Sequence, residues 1–389
     1  MDFQDYDKNI MPTYARFPVA LTEGKGAVAA DADGNQYIDF GSGIGVNSLG
    51  YCNDEWVKAV CTQASRLQHV SNLYYTEPQS VLSKKLCALT GYNSVFFGNS
   101  GAEANECAIK VARKYSFDKY GEGRNKIITL VNSFHGRTVT TLSATGQDTF
   151  HQYFYPFTEG FEYVEAGNGE ALKEKLDGSV CAVMFEFIQG EGGVLPLEPD
   201  FVSEIFNLCN EHDIITIADE VQTGMGRTGT LLAGELYGVR PQIVTLAKGL
   251  GGGLPIGACL VSEKLAKVMG AGTHGSTFGG NPVCCAGACA VLDTLSQKDF
   301  LANVCAKGDA LAESVLDMPH VVSVTGAGLM CGVELEEGVS ARDIAQKCLE
   351  NGLLVLTAKQ KLRFLPPLTI SNSELEKGID ILSKVLSEV

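Results

Sequence analysis

The chain alternates short apolar runs with amphipathic stretches along most of its length. Between Val28 and Phe40, two alternating runs flank Asp33-Gly34, which predicts a β-hairpin. Helices are predicted over 54–68, where Val57, Val60, Ala64 and Leu67 recur at helical spacing, and over 79–89. Ser94 to Phe97 predicts a strand and 102–115 a helix. Lys126 to Val131 and Val180 to Phe185 predict strands, and 200–212 a helix. Ile214 to Ala218 and Ile243 to Ala247 predict two more strands, rich in Ile, Val and Thr. Near-continuous apolar strands separated by helices predict an α/β fold, a mostly parallel central sheet with helices on both faces. The pattern changes at Asn281. A long Ala/Cys-rich helix is predicted to about Leu295, with Pro282 in its first turn. Strands over 321–325, 330–335 and 353–356 and a terminal helix then predict a smaller α+β domain. The expected organisation is an N-terminal segment, 1–45, packing with the small domain, a large domain, 46–280, and a small domain, 281–389.

Composition narrows the function. At 389 residues the chain has material for about two to three domains. A net charge of −16 argues against nucleic acid and anionic membrane surfaces as partners; solubility is its simpler use. No apolar run reaches bilayer length. Met1 to Phe17 has neither the apolar core of a signal peptide nor the arginine content of a transit peptide. Thirteen cysteines without C-x-x-C spacing fit a reducing compartment, and a cytoplasmic location is expected. Cys284, Cys285 and Cys289 cluster on one predicted helix, where two of them one turn apart could meet a metal. Free cysteine packed as a small hydrophobe is the simpler reading, and no metal is expected.

Three segments at predicted strand ends carry candidate chemistry, where open α/β sheets bind ligands. Asp219 follows an apolar run directly, in Ile217-Ala-Asp-Glu-Val-Gln-Thr-Gly224. Alone, it reads equally well as a turn or cap residue. Lys248 ends another run and precedes glycines, in Thr245-Leu-Ala-Lys-Gly-Leu-Gly-Gly-Gly253. Lysine is seldom buried without a partner, and a desolvated lysine amine is a better nucleophile. A surface loop lysine is the alternative. The glycines do not suit a dinucleotide loop, because Leu254 to Val261 reads as a strand where that motif requires a helix. The third segment, Gly98-Asn-Ser-Gly-Ala-Glu-Ala-Asn105, joins a strand to a helix, so Ser100, Gly101 and Ala102 offer backbone N–H groups to an anion. An ordinary N-cap serine has the same look. Together the three match the needs of pyridoxal 5'-phosphate: a lysine amine for the Schiff base, a carboxylate at the pyridine nitrogen, and a phosphate cup.

At these residues the sequence resembles the class III (subgroup II) aminotransferases, of the fold-type I pyridoxal-phosphate enzymes, from about Arg16 to Pro367. Asp219-Glu-Val-Gln222, Ala247-Lys-Gly249 and the Gly98–Asn105 segment carry the likeness. Phe134-His-Gly-Arg-Thr138, Gln189-Gly-Glu-Gly-Gly193 and Gly275-Ser-Thr-Phe-Gly-Gly-Asn-Pro282 extend it. Val46-Asn-Ser-Leu-Gly50, Ser71-Asn-Leu-Tyr-Tyr-Thr-Glu-Pro78 and the form of the Phe134 motif look most like members acting on acylated ornithine.

The resemblance implies roles. Lys248 and Asp219 are the catalytic pair. Phe134 stacks on the pyridine ring and Gln222 bonds its phenolic oxygen, while Ser100, Gly101 and Ala102 hold the phosphate. Thr277 reaches the phosphate of a neighbouring subunit, which implies a homodimer. Arg137 takes the substrate α-carboxylate and Arg363 the distal carboxylate of glutamate or 2-oxoglutarate, with Ser276 nearby. Glu191 masks Arg363 when the amino donor binds. Arginine's planar fork suits both carboxylates; for Arg363 alone, a surface position is the other reading. An acylated diamino acid is the implied donor and 2-oxoglutarate the acceptor. Ornithine, succinylated donors, 4-aminobutyrate and an aminomutase reaction are the alternatives. Two positions depart from the family pattern: Tyr51-Cys-Asn-Asp54 stands where His-x-His-Pro is common, and Phe187 replaces a frequent proline.

Overall fold

A computed structural model describes residues 8–389; the start of the N-terminal segment lies outside the described residues. The chain opens with three strands, β1 (Leu21–Lys25), β2 (Val28–Asp31) and β3 (Gln36–Asp39). β2 and β3 form the predicted hairpin. Asp31 fixes the turn, accepting backbone N–H bonds from Asp33 (3.0 Å) and Asn35 (2.9 Å).

The central sheet has seven strands. In chain order they are β4 (Ser94–Gly98), β5 (Lys126–Leu130), β6 (Phe161–Val164), β7 (Val180–Phe185), then β10 (Ile215–Asp219), β11 (Ile243–Leu246) and β12 (Gly257–Val261). Two short strands, β8 (Ile188–Gln189) and β9 (Leu195–Pro196), intervene and pair with each other. The spatial order is β4-β12-β11-β10-β7-β5-β6. The five strands from β11 to β6 run parallel, and β12 is antiparallel to both neighbours. β7, β10, β11 and β12 are buried throughout, which explains their unbroken apolar sequences. β6 escapes the sequence pattern because it is a half-buried edge strand with polar Glu162 in it.

The helix Gly101–Tyr120 runs five residues past its predicted end at 115. No breaker precedes Gly121, whose left-handed φ of 81° supplies the stop. The helix Pro282–Leu295 starts as predicted: the Asn281 side chain accepts N–H bonds from Val283 (2.9 Å) and Cys284 (3.2 Å). It packs against the helices Asp54–Arg66 and Glu77–Thr90.

A second four-stranded sheet lies in the C-terminal part. It comprises β13 (Val321–Ala327), β14 (Met330–Leu335), β16 (Leu356–Ala358) and β17 (Lys361–Phe364), in the order β13-β14-β17-β16. The two-residue strand β15 (Leu353–Leu354) pairs instead with β3, so the N-terminal sheet is completed by the C-terminal part of the chain. β17 carries Arg363 opposite Gly332 on β14. Among the described residues no helix is long and apolar enough to cross a membrane.

Candidate active site

The carboxyl ends of the parallel strands open into a cavity of about 480 Å³. Ser100, Gly101, Ala102, Phe134, Arg137, Glu191, Asp219, Gln222 and Lys248 all contribute to its wall. The tertiary structure therefore brings nine of the twelve expected residues to one place. Arg363 reaches it through Glu191. Ser276 lies at the edge, accepting a hydrogen bond from Asn99 Nδ2 (3.2 Å), and Thr277 is exposed, outside the wall.

Asp219 is the last residue of β10 and is buried. Its Oδ1 accepts the Val221 N–H (3.0 Å). Its Oδ2 accepts from Asn105 Nδ2 (2.8 Å) and lies 2.8 Å from His135 Nδ1. Asn105 is held in turn by the Thr245 hydroxyl, which donates to its Oδ1 (2.7 Å). Both carboxylate oxygens are thus engaged, which fixes the orientation of the group. His135 is fully buried and its Nε2 has no hydrogen-bond partner.

Lys248 begins a short turn directly after β11, at a φ of 41° in the left-handed region. That strain is typical of residues whose direction matters more than their ease. Burial pushes its amine below the ordinary lysine range, against the pull of nearby Glu191. Among the described residues its Nζ makes no hydrogen bond or ion pair. An uncommitted amine and a clamped carboxylate in one cavity are what pyridoxal phosphate requires of a protein.

The segment expected to hold the phosphate forms a helix N-terminus. Ser100 caps the helix Gly101–Tyr120, its hydroxyl accepting the Glu103 N–H (3.2 Å). The backbone fits tightly around it: a side chain at Gly257 would lie 2.1 Å from the Ser100 carbonyl, and one at Gly101 2.8 Å from Val221. Close approach at a helix N-terminus suits an anion.

Arg363 Nη1 donates to Glu191 Oε1 at 2.6 Å, with Arg363 buried. Burial would raise the Glu191 carboxyl, but Arg363 outweighs it and holds Glu191 below the usual carboxylate range. The Gln222 amide lies between them, 3.5 Å from Glu191 and 3.4 Å from Arg363. Arg137 stands across the cavity, stacked on Phe150 at 4.0 Å and near Phe134 at 5.4 Å.

Sequence reasoning missed part of this set. His135 and Asn105 stood in motifs already singled out, without a role. Glu186 follows an apolar run as Asp219 does, but it was given no role. It is buried, and burial together with Asp219 pushes its carboxyl up to about 7. It accepts the N–H groups of Phe134 (2.9 Å) and Gly190 (3.1 Å), tying the aromatic wall to the Glu191 loop.

The Asp219 clamp yields a prediction. An asparagine at 135 places its amide nitrogen where His135 has Nδ1, whereas a glutamine places it near Nε2. His135→Gln is therefore expected to lower kcat about tenfold, the worth of one charge-assisted hydrogen bond of about 1.5 kcal/mol. His135→Asn is expected to keep most of the activity. Equal losses in steady-state assays of the two variants would remove His135 from this role.

Comparison with known proteins agrees with the geometry. A profile of the class-III aminotransferases matches residues 10–386. An acetylornithine aminotransferase of Haemophilus ducreyi is 53% identical over 381 residues, covering 98% of this chain and 97% of that one. The ornithine aminotransferase of Toxoplasma gondii superposes with a TM-score of 0.95 at 34% identity, covering 100% of this chain and 94% of that one. The N-acetylornithine aminotransferase of Stenotrophomonas maltophilia superposes at 0.86, also at 34% identity, covering 99% and 98%. A cavity walled by Lys248, Asp219 and the helix N-terminus at Ser100–Ala102, in a chain matched over nearly its whole length by these relatives, makes this protein a pyridoxal-phosphate-dependent member of the class-III aminotransferases.

Proposed function

We propose that the protein transfers the terminal amine of N2-acetyl-L-ornithine to 2-oxoglutarate, giving N-acetyl-L-glutamate 5-semialdehyde and L-glutamate. This reaction places it in arginine biosynthesis. The observation that carries the reading is the 2.6 Å Arg363–Glu191 pair beside the cavity, with Arg137 on its wall. Such a site meets two demands. The donor has a single carboxylate, far from its reacting amine, and 2-oxoglutarate has a second one.

When bound, pyridoxal phosphate supplies an electron-accepting ring that stabilises charge at the carbon losing its proton. The chain's own residues do the rest. The N–H groups at Ser100, Gly101 and Ala102 bind the phosphate. Phe134 would wall one face of the ring, and Gln222 would bond its phenolic oxygen. Asp219, oriented by Val221, Asn105 and His135, would face the ring nitrogen and hold the proton there. Lys248 holds the cofactor through its ε-amine. When released, that amine would serve as base and then acid toward the donor carbon that loses its proton. Its burial favours the neutral, proton-accepting form. Arg137 and Ser276 orient the α-carboxylate end. Glu191 neutralises Arg363 while the acyl donor is bound and gives way when 2-oxoglutarate brings its own carboxylate.

The active unit in this reading is a homodimer in which Thr277 of one subunit meets the phosphate bound by the other. The exposed Leu73, Tyr74, Tyr75 and Phe278 support it, because large apolar side chains in such number on one protein mark a covered surface. Thirteen free cysteines support a reducing, cytoplasmic location.

Free ornithine is the second reading, favoured by the 0.95 TM-score to an ornithine aminotransferase. A donor panel with 2-oxoglutarate as acceptor, read by glutamate formation, tests both. N2-acetylornithine is expected to give a kcat/KM at least about tenfold above ornithine and 4-aminobutyrate, since losing the acyl contacts costs about 1.4 kcal/mol or more. A preference for free ornithine overturns the assignment. Turnover without any 2-oxo acid would indicate an aminomutase instead.

A further inference from the structure

Glu191 sits on the five-residue loop between β8 and β9, and that loop ends in an unusual residue. Val194 has a φ of 53° and is fully buried. A β-branched side chain rarely tolerates the left-handed region, so the surrounding packing holds it there. Val194 forms a small apolar cluster with Ile188, Met330 and Leu365.

The packing is specific to the C-terminal sheet. A Cβ at Gly332 on β14 would lie 2.7 Å from Val194 Cβ, and one at Gly326 on β13 3.2 Å from Val194 Cγ1. The two glycines thus leave a notch that Val194 fills. The Val194 carbonyl accepts a hydrogen bond from the Thr325 hydroxyl (2.7 Å) on the same sheet. Gly332 is also the cross-strand partner of Arg363. The loop carrying Glu191 is therefore docked next to the arginine that Glu191 pairs with. Between anchor and carboxylate lie only Gly192 and Gly193, the latter at a φ of 118° that residues with a side chain rarely adopt.

We propose that Val194, seated in the Gly326–Gly332 notch, is a positioning residue that registers Glu191 on Arg363 and so sets the preference between substrates with and without a distal carboxylate. The inference rests on the Glu191–Arg363 reading given above. The anchor keeps the glycine link short: Glu191 covers Arg363 when nothing else does, and swings aside when a carboxylate arrives. Without the anchor, the loop loses its register and Arg363 is left uncovered more often.

The test uses Glu191→Gln, Val194→Gly and the double variant, each loaded with cofactor. Calorimetry measures the binding of glutarate, an unreactive five-carbon dicarboxylate, against pentanoate, which lacks the second charge. Glu191→Gln is expected to bind glutarate about tenfold more tightly, the size of one uncompensated charged contact, with pentanoate unchanged. Val194→Gly is expected to shift glutarate the same way by about threefold, and the double variant to match Glu191→Gln alone, since both act through one carboxylate. Val194→Ala, which keeps a Cβ in the notch, gives a smaller shift and serves if the glycine variant does not fold. No shift at Val194, or a shift that adds to Glu191→Gln, would overturn the positioning role while leaving the Glu191 reading standing. Unchanged glutarate affinity in Glu191→Gln would overturn that reading, and the role of Val194 with it.

Discussion

Replacement of Lys248 by alanine is expected to lower kcat by about 10⁴-fold or more, the upper range for removing a positioned general acid–base group. The loss is large because the carboxylates on the wall are engaged, Glu186 with the Phe134 and Gly190 N–H groups and Glu191 with Arg363. Arg137 is the other cationic side chain on its wall, and arginine does not give up its proton in proteins. His135 is committed to Asp219. The fold should survive the change, because the Lys248 amine makes no bond that the described residues need. Alanine bears the same strained φ of 41°, so backbone cost is conserved. The expected protein binds the cofactor without covalent attachment, melts near the wild-type temperature and does not turn over. More than a hundredth of the original kcat, or an unchanged cofactor absorbance, would rule out Lys248 as the attachment site.

Asp219→Asn is expected to cost roughly 10²–10³ in kcat, comparable to losing a preorganised charge at a reacting centre. The site makes the substitution worse than its small change in shape. Three donors, from Val221, Asn105 and His135, converge on the two oxygens. An amide has one oxygen, so its nitrogen must face a donor, and a buried mismatch follows. The negative charge facing the ring nitrogen is lost as well. Because the ring serves both halves of the reaction, the rates with amino donor and with 2-oxoglutarate should fall together. A defect confined to one half-reaction would point to substrate binding and against the proposed role.

Much of this protein could be read from local patterns. The sheet strands Val180–Phe185 and Ile243–Leu246 are buried on both faces, so their apolar runs stand out without any knowledge of neighbours. Asn281 and Pro282 announce a helix start through backbone chemistry confined to a few residues. β17 went unrecognised because Lys361-Leu-Arg-Phe364 mixes charges into a strand buried at three of its four residues. Its arginine is tolerated there only because Glu191 lies against it. Glu186 was invisible for a related reason. A carboxylate after an apolar run looks like a turn, until the fold buries it against two backbone N–H groups from other segments.

By itself, the sequence determined the α/β class and singled out the candidates for the reacting groups. A strand end, a helix N-terminus and a lysine before glycines are contiguous features, set by side-chain period and backbone freedom over fewer than about ten residues. Only the tertiary structure decided how those groups are tuned. Asp219 meets His135 across 84 positions and Asn105 across 114, and Arg363 meets Glu191 across 172. Strand order and register set Asp219 and Arg363 in place, and a shift of one residue would turn either of them to the other face of its sheet, away from partners held on a helix and on loops.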